Sequence, residues 1–331
     1  HHSLLRPIRR LREYRGGAQR PPTVALKLEE EYFLPAIDYG DNAGRLVQLI
    51  SGARSTSADD ILRHRHPNSC NGSLRLFTRA IVRLPGSNFA DGLTTVDLGT
   101  PHFDEVLHQH AHYCDALRAC GLELTILEPD LRHPDSTFVE DTAILTPHAA
   151  ILTRPGASSR EGEVAAIRPV VERFYSRILA IDPPGTVDGG DICEAEDHFF
   201  IGLSLRTNEE GARQLSSHLN ALGYTASTVD IRSMTTILHL KSGISYIGDN
   251  TLVVMEEMAA NPQFGGFNLL RVPAAESYAA NCVRVNYRVL IAEGFQHLYD
   301  ELIARGFSPL ALNMSEFQKM DGGLSCLSLR F

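Results

Sequence analysis

The pattern of apolar and polar positions divides the chain near residue 77. Before that point no period persists. RPIRRLREYR is basic, GGAQRPP is rich in breakers, and SGARSTSADDILRHRHPNSCNGS is polar with scattered Gly and Ser. Residues 1–75 are expected to be an extension outside the packed domain, with one short helix near AGRLVQLI. The run Glu29-Glu30-Glu31 is either a binding patch or a solvated face.

From Phe77 onward two periods alternate. TRAIVRL is β-rich. In FDEVLHQHAHYCDALRACG, Phe103, Val106, Leu107, His110, Cys114 and Leu117 recur at helical spacing, and Gly121 is the stop. LELTILE alternates as a strand. FVEDTAILTPHAAILTRPG holds two apolar runs around a Thr-Pro-His turn, the mark of a hairpin, and EGEVAAIRPVVERFYSRI follows as a second amphipathic helix. DGGDICEAEDHFFIGLSLRTN predicts another hairpin, and NEEGARQLSSHLNALGY a helix. LHLKSGISYIGDNTLVVM and ANCVRVNYRVLIAEG predict two more hairpins, FQHLYDELIARG a helix, and MDGGLSCLSLRF a closing strand.

Glu140, Asp188, His239, Asn281 and Cys326 recur at intervals of roughly 40–50 residues, each opening a β-rich segment. About five α/β units closed around an axis would bring these landmarks together at one end, whereas an open sheet would leave them apart. The predicted architecture is therefore an α/β propeller over residues 76–331.

Composition narrows the class. The 331 residues are 43% hydrophobic, enough for a substantial core, and 21% charged with mixed signs, which is not a disordered composition. A net charge of -9 without a basic face argues against nucleic acid and suits a cationic small molecule. No apolar run approaches the roughly 20 residues that cross a bilayer. The first residues show no apolar core of a secretory signal, so no membrane role and a cytoplasmic location are expected. The six cysteines, Cys70, Cys114, Cys120, Cys193, Cys282 and Cys326, are scattered without C-x-x-C or zinc spacing. That predicts a reduced protein with no metal site.

Several residues could carry chemistry, each with an ordinary alternative. Cys326 follows Gly322-Gly323, which suits an exposed nucleophile or a buried strand cysteine. His239 lies between Leu238 and Leu240, so on a strand it points away from the apolar face, as a proton-transfer group or a satisfied structural histidine. Asp188-Gly189-Gly190-Asp191 is a turn, or a carboxylate held near a histidine. Glu140 and Asp141, with Asp135 shortly before them, could face a cation, or could lie in a solvated loop. Arg160 and Arg206 offer forks that match a carboxylate, or are surface arginines.

Taken together, PDSTFVEDTAI, TRPGASSREGEV, DGGDI, FFIGLSLRTNEEGA, LHLKS and MDGGLSC resemble the dimethylarginine dimethylaminohydrolase family in order and spacing over residues 77–331. The resemblance implies the five-bladed α/β propeller (pentein fold) and a cysteine hydrolase of methylated arginines that needs no cofactor. It implies Cys326 as nucleophile, His239 as general acid and base, and Asp188 as the carboxylate that orients His239. Glu140 and Asp141 would hold the guanidinium, Asp135 the amino end, and Arg160 and Arg206 the carboxylate. Leu93 would fall in the loop that covers the pocket. The family's arginine deiminases commonly carry His-x-Asp where this chain has His239-Leu240-Lys241, which favours a methylated substrate over arginine. An arginine deiminase, or a hydrolase of another guanidine compound, stays open within the class. A propeller that only binds stays open outside it. A papain-like protease does not fit, because its Cys precedes its His. A monomer and a homodimer both fit.

Overall fold

A computed structural model describes residues 76–331. The expected N-terminal extension, its short helix and the Glu29-Glu30-Glu31 run lie outside the described residues.

The elements follow one another as β1 (Arg79–Arg83), α1 (Phe103–Ala119), β2 (Glu123–Leu127), β3 (Ala143–Leu145), β4 (Ala150–Leu152), α2 (Glu161–Val171), β5 (Ile178–Ala180), β6 (Ile192–Ala195), β7 (His198–Leu203), α3 (Glu209–Ala221) and β8 (Thr225–Asp230). The remainder are β9 (Ile244–Gly248), β10 (Thr251–Met255), β11 (Asn268–Val272), β12 (Val283–Val285), β13 (Arg288–Ala292), α4 (Gln296–Ala304), β14 (Pro309–Leu312), the short α5 (Ser315–Gln318) and β15 (Leu329–Arg330). They build five three-stranded sheets, ordered β15-β1-β2, β3-β4-β5, β6-β7-β8, β9-β10-β11 and β12-β13-β14. In each sheet the first two strands are antiparallel and the third is parallel to the second. A parallel third strand needs a crossover, which a helix supplies in four of the five blades. In the fourth blade two 3-10 turns, Glu256–Met258 and Pro262–Phe264, take its place. This is the five-bladed propeller of the sequence reading. The C-terminal β15 closes the ring by pairing with β1.

Cores form between neighbouring blades. Helix α1 buries Val106, Tyr113, Cys114 and Leu117 against Ala80 and Val82 of one blade and Val285 and Leu290 of the next. Truncating fully buried Leu117 to Ala would cost about 2–5 kcal/mol through lost transfer energy and a cavity. Leu107, expected on the buried face of α1, is 37% exposed instead. The second helix is shorter than its apolar pattern predicts. Helix α2 ends at Val171, two residues after Pro169, and Ile178 already begins β5.

The larger departure from the expected elements lies just before each inner strand. Short 3-10 turns occupy Val139–Thr142, Gly189–Asp191, Leu240–Ser242, Ala274–Ala280 and Leu324–Leu327. Successive turns touch around the axis. Asn281 Oδ1 accepts the Ser325 N–H at 3.0 Å, joining the last two. His239 is thus not on a strand. It is an extended residue (φ -129°, ψ 160°) that leads into a turn, and the hairpin starts five residues later at Ile244. Likewise Cys326 lies in a turn, with the closing strand reduced to Leu329–Arg330.

Candidate active site

The ring of turns converges on a cluster of buried charge. Glu140, Asp141, Asp188, Asp191 and His239 are each at most 7% exposed. Such burial of ionisable groups requires partners for each of them.

Asp188 and His239 form a pair. Asp188 is fully buried; its Oδ1 accepts the Gly156 N–H at 2.8 Å and its Oδ2 lies 3.0 Å from His239 Nε2. Gly190 lets the turn pass under the imidazole: a Cβ there would sit 2.8 Å from His239 Cγ and 3.0 Å from Asp141 Oδ1. Burial opposes the imidazolium, but Asp141, Asp191 and the Asp188 hydrogen bond outweigh it and raise the His239 pKa to about 9. His239 is therefore a cation at neutral pH, with a proton available to give.

Asp191 holds this pair in place. Its Oδ1 accepts the Leu240 N–H at 3.0 Å, and its Oδ2 accepts the Ser204 and Thr207 hydroxyls at 2.6 and 2.7 Å. Thr207 Oγ1 in turn accepts the Asp188 N–H at 3.1 Å. One carboxylate thus fixes the backbone on either side of the Asp188–His239 bond.

Glu140 and Asp141 do not point to opposite sides of an extended strand; the 3-10 turn carries both inward. Asp141 Oδ1 accepts the Gly190 N–H at 2.7 Å, and Oδ2 accepts Arg160 Nη1 at 2.5 Å. Burial would raise its pKa, but Arg160, His239 and the Gly190 N–H bring it down to about 2. Glu140 Oε1 pairs with Lys241 Nζ at 2.5 Å and faces Arg330 Nη2 at 3.6 Å. Glu140 Oε2 is buried with no hydrogen-bond partner. Burial raises the Glu140 pKa against the pull of Lys241 and Arg330. A buried carboxylate oxygen without a donor is an acceptor awaiting one.

Cys326 borders the same carboxylates. It is partly exposed, whereas Cys114, Cys120, Cys193 and Cys282 are buried. Its Sγ accepts the Gly323 N–H at 3.4 Å. Burial, then Glu140 and Asp141, push the thiol up to about 12, so it is neutral in the empty site. Tyr278 fixes its loop by donating to the Gly322 carbonyl at 2.8 Å. Among the described residues no hydrogen bond joins Cys326 to His239; each stands beside Asp141.

The remaining expected residues lie on the loops around this centre. Both oxygens of Asp135 accept the Leu93 N–H, at 3.1 and 3.3 Å. Thr95 donates to Asp321 Oδ2 through its N–H and its hydroxyl, at 2.5 and 2.9 Å, so the Leu93 loop is tied at two points. Burial raises the Asp135 pKa, opposed by Arg160, the Leu93 N–H and Arg206. Arg206 Nη1 lies 3.9 Å from Asp188 Oδ2, and its guanidinium makes no hydrogen bond among the described residues.

Arg160 differs from the expectation. Its guanidinium donates to Asp141, to both oxygens of Glu163 (3.0 and 2.7 Å) and to the Asp135 and Phe138 carbonyls. The fork expected to await a carboxylate is spent inside the protein, and Arg206 is the one left open.

Asp141, Asp188 and His239 also bring ligand atoms within 4.8 Å of one another, the spacing of a metal site. Those atoms are engaged by Arg160, by two backbone N–H groups and by each other, so a metal would have to displace buried partners.

Sequence reasoning left four contributors out of the site. Asp191 is legible in the sequence as a turn residue or a carboxylate near a histidine but carries no assigned role there, and Asn281 is legible only as a landmark of the repeat. Lys241 was read only as the absence of an acid. Arg330 has a local signal in the sequence, a cation in the last apolar strand.

The sequence model of the arginine deiminase family matches residues 125–293. The N(G),N(G)-dimethylarginine dimethylaminohydrolase of Pseudomonas aeruginosa is 44% identical over 257 residues, which is 77% of this chain and 100% of that protein. The protein of the same name from Streptomyces coelicolor is 32% identical over 255 residues, 76% of this chain and 96% of that one. A solved structure of a variant of the Pseudomonas aeruginosa enzyme complexed with citrulline superposes with a TM-score of 0.75 at 43% identity, covering 78% of this chain and 100% of that chain. No helix among the described residues is long and apolar enough to cross a membrane.

Proposed function

Because this chain belongs to the dimethylarginine dimethylaminohydrolase family, we propose that it hydrolyses asymmetric dimethylarginine and monomethylarginine to citrulline plus dimethylamine or methylamine. The observation that carries the reading is Glu140 Oε2, a buried carboxylate oxygen without a donor, beside the partly exposed thiol of Cys326.

The guanidinium donates to Glu140 Oε2, and its charge offsets the carboxylates that hold the thiol neutral. Cys326 then loses its proton to solvent, and the thiolate attacks the guanidinium carbon. His239, its Nε2 held by Asp188, gives its Nδ1 proton to the departing amine as the C–N bond breaks, leaving an S-alkylthiouronium on Cys326. The neutral imidazole then takes a proton from water, and hydroxide adds to the same carbon. Collapse expels the thiolate, which takes up the proton of the added hydroxyl, and leaves the urea group of citrulline. Asp188 orients His239 and stabilises its charged form. Arg206 receives the substrate carboxylate, and Asp135 the ammonium beneath the Leu93 loop. Arg160 acts by holding Asp141.

The competing reading, arginine deimination, draws on the family model that matches residues 125–293. Citrulline formation from asymmetric dimethylarginine, monomethylarginine and arginine, each alone, decides between the two, with Cys326→Ala as control. Citrulline from the methylated substrates, lost in the variant, supports the proposal. Citrulline chiefly from arginine supports the deiminase. None from any of the three, with the protein folded, removes both.

A further inference from the structure

We infer that Arg330 is a positioning residue of this site, a single guanidinium that ties the turn carrying Cys326 to the Glu140 carboxylate. The inference rests on the functional reading above and concerns what holds the nucleophile and the substrate's acceptor at a fixed separation.

Arg330 ends β15, where its backbone is paired with Ala80 of β1. Its side chain is only 13% exposed. Nη1 donates to the Ser328 hydroxyl at 2.8 Å, to the Ser328 carbonyl at 3.1 Å and to the Ser325 carbonyl at 3.4 Å. Those carbonyls lie on either side of Cys326 in the chain, so one nitrogen brackets the turn Leu324–Leu327. The Ser328 hydroxyl is fixed in turn by fully buried Tyr113, whose hydroxyl lies 2.7 Å away. Nη2, the other arm of the fork, lies 3.6 Å from Glu140 Oε1. The Ser325 side chain adds no tie of its own, because its buried Oγ has no hydrogen-bond partner.

The guanidinium plane holds Nη1 and Nη2 at a fixed separation, so the carbonyls on one arm and the carboxylate on the other cannot drift independently. Glu140 Oε1 also receives Lys241 Nζ at 2.5 Å, from the turn that follows His239. One carboxylate oxygen thus meets a cation from the blade of the acid and a cation from the blade of the nucleophile. The other, Oε2, which receives the substrate's guanidinium, is thereby set in place relative to both. The Arg330 charge also favours the ionised form of Glu140 against the burial that opposes it. Arg330 therefore supplies two separable things: a charge beside Glu140, which serves binding, and a fork on the turn, which serves attack.

The measurement is kcat and KM for asymmetric dimethylarginine, per folded protein, in the full chain and in Arg330→Met and Arg330→Lys, with urea midpoints alongside. Arg330→Met removes charge and fork together. Its kcat should fall and its KM rise, each by about ten- to a hundredfold, the range of one hydrogen bond to a charged group. Arg330→Lys keeps the cation but has no planar fork, so KM should return to within about threefold of the parent while kcat stays at least about tenfold low. A loss of stability alone, with kcat and KM of the folded fraction within about threefold of the parent in both variants, would make Arg330 a structural strut and sink the inference. Recovery of both constants in Arg330→Lys, or of neither, would sink it too, while the functional reading stands. If the parent protein does not turn over dimethylarginine, the functional reading fails and this inference with it.

Discussion

The Cys326 thiol gives the sharpest quantitative test. In the empty site burial, Glu140 and Asp141 push it up to about 12, far too high for a nucleophile at neutral pH. The proposed chemistry requires the substrate to bring it down. A guanidinium carbon poised for attack lies about 3.5 Å from the sulfur. A unit charge at that distance, with an effective dielectric of about 20, contributes about 4–5 kcal/mol. At about 1.4 kcal/mol per pH unit that amounts to roughly three units. The thiol should therefore titrate near 12 in the free protein and about three units lower in the complex. The free value follows from the pH dependence of inactivation by iodoacetamide, with Cys326→Ser defining the background from the other cysteines. The bound value is the acidic limb of kcat against pH, which reports the enzyme–substrate complex. Agreement of the two values, or a free thiol that titrates below about pH 9, would refute the idea that the substrate's own charge activates the nucleophile.

Other perturbations separate the remaining roles. His239, with its pKa raised to about 9 in the free protein, should impose a basic limb on kcat/KM, because the imidazolium proton needed by the leaving amine is gone above that pH. The same raised value means that its contribution to stability is complete below about pH 6.5 and is lost as pH rises through about 9, so denaturation midpoints should fall over that window in the parent and less in His239→Gln. Arg160→Met should lower stability by about 3–5 kcal/mol in urea titrations, because it strands Asp141 and Glu163 in the interior. Arg206→Met should raise KM with little change in Tm; the reverse pattern in these two arginines would overturn their assignment. Asp191→Asn should lower kcat/KM by at least about tenfold and shift the basic limb, since Asp191 both aligns the Leu240 N–H and raises the His239 pKa.

The propeller was legible because its repeat is carried by apolar runs. Hairpins such as β9–β10, with ISYIG and TLVVM, announce themselves by alternation and β-branched content. Of the outer strands only β2 did; β5, β8, β11 and β14 did not. ILA is three residues long, and NLLRV follows a breaker-rich stretch, so their strand character comes from parallel pairing with β4 and β10 rather than from their own sequence. The turns at the centre are hidden in the sequence for a related reason. Around His239 the pattern Leu-His-Leu mimics a strand, but the Asp191 carboxylate captures the Leu240 N–H that a ladder would have used. Arg160 shows the limit of residue-type reasoning. A fork that suits a ligand carboxylate suits Asp141 and Glu163 equally well, and only the burial of all three decides between them.

The arrangement also explains why the chemical residues are spaced by the length of a blade and by nothing shorter. Glu140, Asp188, His239, Asn281 and Cys326 each stand at or beside the 3-10 turn that precedes an inner strand, and each comes from a different sheet. Their mutual distances are therefore set by how the blades pack, not by local sequence. The turn matters because an extended chain sends successive side chains to opposite sides, whereas the tighter 3-10 geometry gathers adjacent residues toward one centre. Glu140 and Asp141 use this to present two carboxylates at once, and the Asp188–Asp191 segment uses it to set Asp188 on His239 Nε2 and Asp191 on the Leu240 N–H. The blade holding Cys326 is completed by the pairing of β15 with β1, the first and last strands described. The nucleophile's position thus depends on closure of the whole ring, and the acids that oppose its ionisation are delivered by the neighbouring blade. That separation of supports is what lets one cation, bound at Glu140, change the state of a thiol held by another sheet.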